Sequence, residues 1–216
     1  MSVQTNPNHE ISDSQTIYQF KIILIGDSAV GKTSLINRFM GLEYEENLNC
    51  TISADFKLKS LSIDSSTGVE LTVWDTCGQE KYRSMTRQYF KDAHGIILVF
   101  DVNNENSFRG LNIWLNEIKS NCNNSNVSIA LVGNKIDLND RTISNEEGKE
   151  FAQKNGLLYV ETSSKNGINI NTPFELLSND IIQKIKQNQN GYNEKNYKKI
   201  ERYEIERQRE TEVKCC

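Results

Sequence analysis

One run of eight residues has the spacing G-x-x-x-x-G-K-[ST], which cradles the phosphates of a nucleoside triphosphate. The glycines let backbone N–H groups approach a phosphate, and the start of the following helix adds partial positive charge. The lysine reaches the β and γ phosphates, and the threonine hydroxyl is a ligand for Mg²⁺. The nucleotide-contacting residues predicted here are Gly26, Asp27, Ser28, Ala29, Val30, Gly31, Lys32, Thr33 and the next residue, Ser34.

Three further polar motifs each follow a predicted strand: DTCGQ at 75–79, NKID at 134–137 and TSSK at 162–165. The carboxyl ends of parallel strands meet at one edge of an α/β sheet, and ligands bind there. The phosphate loop also follows a predicted strand, so it belongs to the same edge. The four motifs therefore predict a single nucleotide site built from four loops.

Alternating strand and helix patterns supply the scaffold for these loops. A turn-like SSTG at 65–68 makes a hairpin of the second and third strands, and the other strands are mostly apolar, as in a sheet covered on both faces. We predict an α/β fold, a three-layer P-loop domain with a mostly parallel six-stranded sheet, one antiparallel edge strand and helices on both faces. The predicted strands span residues 20–25, 56–63, 71–74, 96–100, 129–132 and 157–160, and the predicted helices span 34–40, 108–118, 145–154 and 174–185.

Composition divides the 216 residues into three parts. We predict a flexible N-terminal extension at 1–18, the nucleotide-binding domain at 19–187 and a tail at 188–216. The tail has few apolar side chains and carries seven basic and six acidic residues, a composition that favours disorder or a weak helix.

Charge and hydropathy argue against several other classes of protein. A net charge of −4 at pH 7 indicates no basic face, so we expect no nucleic-acid partner. The longest apolar run, 96–100, is too short to cross a membrane, and we expect no secretory signal. Two histidines without a Cys-x-x-Cys spacing do not favour a zinc site. We interpret Cys50, Cys77 and Cys122 as reduced thiols.

In this order, the four motifs resemble those of the Ras superfamily of small GTPases, over residues from about 20 to 186. Trp74, DFK at 55–57, YRSMT at 82–86, AHGII at 93–97 and the terminal cysteine pair narrow the resemblance to the Rab family. The resemblance implies an activator-dependent GTPase, a switch that binds GTP with Mg²⁺ and hydrolyses it slowly to GDP and phosphate. In its GTP form such a switch recruits effectors that regulate vesicle-mediated membrane traffic. A P-loop kinase or ATPase is disfavoured because NKID reads guanine.

The resemblance also assigns roles around the base. Asp137 accepts two hydrogen bonds that guanine donates and adenine does not, and Asn134 is its partner in reading the base. Lys135 and Lys165 lie along the two faces of the ring. The other residues assigned to the base are Tyr44, Ser163 and Ser164. The backbone N–H of Ser164 would meet guanine O6, whereas Tyr44 has the alternative of being a surface tyrosine.

A second group resembles the metal-binding and catalytic residues of the family. Thr33, Thr51 and Asp75 are the implied Mg²⁺ ligands, Thr51 only when a γ-phosphate is bound. The backbone N–H of Gly78 contacts that phosphate, and Gln79 is the implied catalytic residue, which orients the attacking water.

Two departures from the family pattern leave an alternative open. Cys77 replaces the usual alanine beside Mg²⁺ and the γ-phosphate, and Ser53-Ala54 replaces the usual Gly-Val after the switch threonine. The lost glycine stiffens the loop and puts effector identity in question. Because of Cys77, the alternative function is a membrane-tethered GTP-binding interaction module that hydrolyses little.

Partners and location also follow from the resemblance. Effectors would bind two switch regions, 43–57 and 76–90, which γ-phosphate contacts order and hydrolysis releases. Cys215 and Cys216 resemble a prenylation site, and two lipid chains anchor a tail whose net charge of +1 contributes little. The family implies an exchange factor, a GTPase-activating protein, a prenylation escort and a GDP-dissociation inhibitor. The expected location is the cytoplasmic face of an intracellular or plasma membrane, with a cytosolic pool.

Overall fold

The computed structural model describes residues 16–46, 55–76, 87–122, 127–187 and 198–201. Thr51, Gly78 and Gln79 lie outside these ranges, as do Cys215 and Cys216. Among the described residues, no helix has both the length and the apolar character needed to cross a membrane.

Six strands form the main path of the sheet, in the order β2-β3-β1-β4-β5-β6, and a seventh pairs with β1 off this path. The β2–β3 pair is antiparallel and every other pair along this path is parallel. The predicted fold, a mostly parallel sheet with one antiparallel edge strand, is therefore confirmed. The strands are β1 Thr16–Ile25, β2 Asp55–Ser62, β3 Thr67–Asp75, β4 Gly95–Asp101, β5 Ser128–Asn134 and β6 Leu158–Glu161.

The described helices agree with the predicted ones except in the middle of the chain. The predicted helix 108–118 is two helices that meet at Gly110, and the first of them is capped by Asn104, whose side chain accepts from two backbone N–H groups. A four-residue helix near residue 90 has no counterpart among the predicted elements. The helices are α1 Lys32–Phe39, α2 Arg87–Phe90, α3 Glu105–Arg109, α4 Leu111–Asn121, α5 Asn145–Asn155 and α6 Thr172–Lys186.

Two hydrophobic cores cover the two faces of the sheet, which is why its central strands read as continuous apolar runs. On one face, Ile22 and Leu24 of β1 pack with residues of α1 and α6. On the other face, Ile23 and Ile25 of the same strand pack with residues of α4 and α5. Burial of both faces holds the carboxyl ends of the strands in fixed register.

The two ends of the chain differ from the sequence-based expectation. Strand β1 begins at Thr16, whereas the pattern predicted a start at residue 20 and a flexible segment through 18. A seventh strand, β7, spans Lys198–Glu201 and pairs antiparallel with residues 16–19 of β1. For these four tail residues the interpretation as disorder or weak helix is wrong. The physical reason is an open edge, because β4 begins opposite Ile22 and leaves the first residues of β1 uncovered.

The stacked rings of Phe39 and Phe174 should be a main source of stability. Both side chains are fully buried, and their ring centroids lie 3.6 Å apart between α1 and α6. We expect Phe174→Ala to lower the free energy of unfolding by about 3–5 kcal/mol, since it leaves a cavity. Urea unfolding of the GDP-bound protein measures the change. The control is Leu176→Ala, an exposed position on the same helix, which should cost less than about 1 kcal/mol. Equal losses for the two variants would contradict this assignment.

Candidate nucleotide site

The phosphate loop joins β1 to α1 and depends on two glycines that tolerate no side chain. Gly26 has φ +141°, and a Cβ there would lie 2.2 Å from the carbonyl oxygen of Val99 in β4. Gly31 has φ +96°, and its Cβ would lie 2.3 Å from the side-chain nitrogen of Asn134. These contacts keep the loop folded tightly against the sheet edge.

Lys32, the first residue of α1, turns its ammonium group back over the loop. Its Nζ donates to the carbonyl oxygens of Gly26 and Asp27, both at 2.9 Å, and the side chain is buried. The cap residue of the helix, Gly31, has no side chain that could accept from the first backbone N–H groups of α1. The first N–H groups of α1 therefore point, together with the lysine, to one place where an anion is favoured.

Thr33 and Asp75 form the part of the site that fits a cation. The Thr33 hydroxyl donates to one carboxylate oxygen of Asp75 at 2.7 Å. The other oxygen of Asp75 is buried without a hydrogen-bond partner among the described residues. Burial raises the pKa of this carboxyl, since the charged form has lost its water. A hydroxyl and a buried carboxylate oxygen are ligands suited to Mg²⁺, so these residues fit that ion.

Asn134, the last residue of β5, connects three loops of the site. Its side-chain nitrogen donates to the carbonyl oxygen of Val30 in the phosphate loop at 2.9 Å. Its side-chain oxygen accepts from the Thr162 hydroxyl at 3.0 Å and from the backbone N–H of Ser164 at 3.4 Å. Asn134 is fully buried, so each of these bonds is shielded from water.

Asp137 and Ser163, from the loops after β5 and β6, are in direct contact. The Ser163 hydroxyl donates to one oxygen of Asp137 at 2.5 Å and accepts from the backbone N–H of Asn166 at 2.9 Å. These contacts orient the carboxylate. Lys135, which has φ +67°, places its Nζ 2.8 Å from a carboxylate oxygen of Asp101.

Lys165 connects this region to the loop after α1. Its Nζ lies 3.2 Å from a carboxylate oxygen of Glu46, and this contact raises the pKa of the lysine. The Asp137 carboxylate also raises the pKa of Lys165. Tyr44 is half-buried in the loop after α1.

Most of the described candidate residues therefore converge on one edge of the sheet. Ser28 and Ala29 are exposed at the tip of the phosphate loop, Val30 is buried, and Ser34 is half-buried in α1. The predicted roles of Thr51, Gly78 and Gln79 fall outside the described residues and stay predictions.

One residue of the site was recognised in the sequence only as part of a helix. Trp114 of α4 donates its indole N–H to a carboxylate oxygen of Asp27 in the phosphate loop at 2.8 Å. Its helical spacing indicates a core position, which is correct, because the residue is 4% exposed. A buried indole N–H needs a hydrogen-bond acceptor, so a polar partner for Trp114 is expected, but the sequence alone does not say which residue it is.

Comparisons with known proteins agree with this geometry. The model of the Ras family matches residues 21–183. Ras-related protein Rab-18-B of Danio rerio is 40% identical over 171 residues, which are 79% of this chain and 83% of the relative. The chain belongs to the Rab family of Ras-related GTPases. Rab-2B of Dictyostelium discoideum is 41% identical over 78% of this chain and 83% of its own length. Rab-1 of Theileria parva is 43% identical over 79% of this chain and 77% of its own length.

Membership of the Rab family fixes the general activity. This Rab-family chain is a GTPase that binds GTP and GDP, and it acts as a small GTPase switch in membrane traffic. Effectors and regulators are general partners of such switches.

The Trp114–Asp27 bond should slow the loss of nucleotide. Trp114→Phe keeps the ring in the core but leaves the Asp27 carboxylate without this donor. We expect GDP to dissociate about tenfold faster, because a hydrogen bond to a charged group is worth about 1.5 kcal/mol. Release of a fluorescent GDP analogue under excess GTP measures the rate. Ile113→Ala, an exposed change on the same helix, is the control and should leave it unchanged. An unaltered rate in Trp114→Phe would show that the bond does not hold the loop.

Proposed function

We propose that this Rab-family GTPase binds GTP with Mg²⁺, hydrolyses it slowly to GDP and phosphate, and recruits effectors while GTP is bound. The observation that carries the proposal is the pair formed by Thr33 and Asp75 beside the buried ammonium of Lys32. An anion site and a cation site therefore lie next to each other at the end of β1. That arrangement suits a phosphate chain bound together with a divalent ion.

The phosphates would be held by the N–H groups of the phosphate loop and by Lys32. Lys32 now donates to two backbone carbonyls, which are weaker acceptors than phosphate oxygens. Thr33, Asp75 and, when a γ-phosphate is bound, Thr51 would hold Mg²⁺, which supplies positive charge against the phosphate oxygens. The N–H of Gly78 would contact the γ-phosphate.

The guanine ring would lie between the side chains of Lys135 and Lys165, with Asp137 reading its N1–H and amine edge. Ser163 orients Asp137 from behind, and the hydrogen bonds of Asn134 fix the base loops relative to the phosphate loop. Tyr44, half-buried in the loop after α1, would pack against the base.

Hydrolysis would depend on Gln79, which would orient a water for attack on the γ-phosphorus. Water would add its oxygen to phosphorus as the bond to the β-phosphate oxygen breaks, one proton of the water would pass to a phosphate oxygen, and GDP and inorganic phosphate would leave. Arg38, Arg109 and Arg141, whose side chains the structure describes, bond to other parts of the chain. A GTPase-activating protein would therefore supply an arginine charge at the phosphates.

Effectors would bind an apolar surface that starts beside the metal-binding carboxylate. Phe56 and Leu58 of β2 are 50% and 69% exposed. The Trp74 ring lies 5.2 Å from Phe56 and 5.7 Å from Tyr89, measured between centroids. Because Trp74 directly precedes Asp75, nucleotide contacts act on the same segment that supports this surface. Exposed apolar side chains supported by half-buried aromatic rings are typical of a binding surface.

The tail would attach the switch to a membrane through prenyl groups on Cys215 and Cys216. One lipid chain binds a membrane only marginally, whereas two bind stably. A prenylation escort would deliver the lipids, and a GDP-dissociation inhibitor would extract the GDP form into a cytosolic pool. An exchange factor would reload GTP at the cytoplasmic face of an intracellular or plasma membrane.

A single-turnover assay tests the enzymatic part of this proposal. The purified full-length protein is loaded with GTP and Mg²⁺, and chromatography follows bound GTP and GDP over hours. We expect conversion on the order of 10⁻⁴ s⁻¹, the slow intrinsic rate of the class. Gln79→Leu should reduce this rate at least tenfold, and the control Gln153→Leu, exposed on α5, should leave it unchanged.

The same assay distinguishes this proposal from the alternative in which Cys77 suppresses hydrolysis. GTP that persists in the wild type but is hydrolysed by Cys77→Ala would support a GTP-binding interaction module with little hydrolysis. Persistence of GTP in both proteins would contradict slow intrinsic hydrolysis by this chain. Equal rates in wild type and Gln79→Leu would contradict the role given to Gln79.

A further inference from the structure

Strand β1 has two edges, and its second edge is covered by three different parts of the chain. The first edge pairs with β3 along the whole strand. On the second edge, β4 covers Ile22–Ile25. At Lys21 the backbone N–H donates to the His94 ring at 2.9 Å, and the Lys21 carbonyl accepts from the His94 N–H at 2.9 Å. Beyond this point, residues 16–19 would be an open edge if the tail did not pair there.

The tail strand β7 pairs with this remaining stretch in a defined register. Ile17 is opposite Ile200, and Gln19 is opposite Lys198. The N–H of Thr16 donates to the carbonyl of Ser66, toward the β3 side. Since backbone groups alternate along a strand, Ile17 and Gln19 direct theirs toward β7. Ile200 and Lys198 are therefore the hydrogen-bonded partners, and the N–H of Lys199 points away from β1.

We propose that the β1 edge Thr16–Gln19 is a docking site for the protein's own tail, and that this clasp sets where the C-terminal cysteines leave the domain. The docking stands independently of the proposed function, whereas its consequence for a membrane anchor rests on the proposed prenylation. An edge strand with free backbone groups is a template for any added strand. The protein's own tail pairs with this edge more readily than a strand of another molecule, because the short segment that links it to α6 keeps it at a high effective concentration.

The clasp changes the reach of the tether. With β7 docked, 15 residues follow Glu201 and span at most about 50 Å when extended. Without docking, the 29 residues after Gln187 would span at most about 100 Å. A docked tail therefore holds the domain about twice as close to the surface that carries its end.

The direction of β7 also sets where the rest of the tail begins. Strand β1 runs toward the phosphate loop, and β7 runs the opposite way, from Gln19 to Thr16. Glu201 therefore lies at the end of the sheet opposite the nucleotide site. A lipid anchor at the end of the tail would be tethered to this end of the domain, away from the nucleotide edge.

Amide hydrogen exchange measured by NMR on the full-length, unlipidated, GDP-bound protein tests the clasp. In the wild type we expect protection of the Ile17 and Gln19 amides, with Lys198 and Ile200 also protected and Lys199 exchanging faster. Ile200→Pro removes a donor from the ladder and should speed exchange at Ile17 and Gln19 at least tenfold. Lys199→Pro is the matched control, since its N–H faces away from β1, and should change these rates less than threefold.

Two results would overturn the proposal. One is exchange at Ile17 and Gln19 that is equally fast in the wild type and in Ile200→Pro. The other is an equal effect of the two proline variants, which would rule out the register. The amide of Leu24, in the same strand but away from β7, reports whether the domain stays folded. Because the assay involves neither GTP hydrolysis nor lipid, its failure is distinguishable from failure of the proposed function.

Discussion

The site depends on one buried amide group. Asn134 donates to the phosphate loop and accepts from the loop after β6, so the phosphate-binding and base-binding regions are fixed relative to each other. A nucleotide contacts both regions at once, so it binds only when the phosphate-binding and base-binding regions are held at a fixed distance from each other. Gly31 leaves room for the asparagine, since any side chain there would collide with it. Strands β1 and β5, which carry the phosphate loop and Asn134, are packed on both faces of the sheet, and this packing fixes where the two strands end. Loss of the hydrogen bonds of the Asn134 side chain would leave buried polar groups without partners, which lowers the free energy of unfolding.

Around this fixed frame, the charged groups are held in place by their surroundings. Lys32 is buried over loop carbonyls, and Asp75 is buried with one oxygen bonded only to Thr33. In the proposed site, a phosphate chain bound with a divalent cation would give both groups further charge partners. The energetic cost of burying these groups is thus recovered on binding, and little reorganisation is needed. The aromatic surface around Trp74 begins one residue before Asp75, which places the proposed effector surface directly beside the nucleotide.

The sequence predicted the sheet and the site loops well because both have local signals. Strands buried on two faces appear as apolar runs, and the motif spacings place chemistry at strand ends. What it missed depends on distant partners. Gly110 divides the predicted helix 108–118 where the chain passes the phosphate loop, since a Cβ there would lie 3.0 Å from a carboxylate oxygen of Asp27. Trp114 lies within the predicted helix 108–118, but its bond to Asp27 joins positions far apart in the chain. The strand β7 has no apolar alternation of its own and forms because β4 starts late and leaves an edge open.

The measurement that tests the central claim most directly is the nucleotide specificity of Asp137→Asn. In the proposed base site, Ser163 orients Asp137 so that its carboxylate would accept from the guanine edge, and an amide at this position would offer a donor where guanine also donates. Equilibrium binding of GTP and of xanthosine triphosphate to the full-length protein, with Asp140→Asn as the exposed control, gives the comparison. The structure predicts that Asp137→Asn loses GTP affinity by at least a hundredfold and gains affinity for the xanthine nucleotide, while the control keeps the wild-type preference. Unchanged GTP affinity in Asp137→Asn would contradict the assignment of the base site.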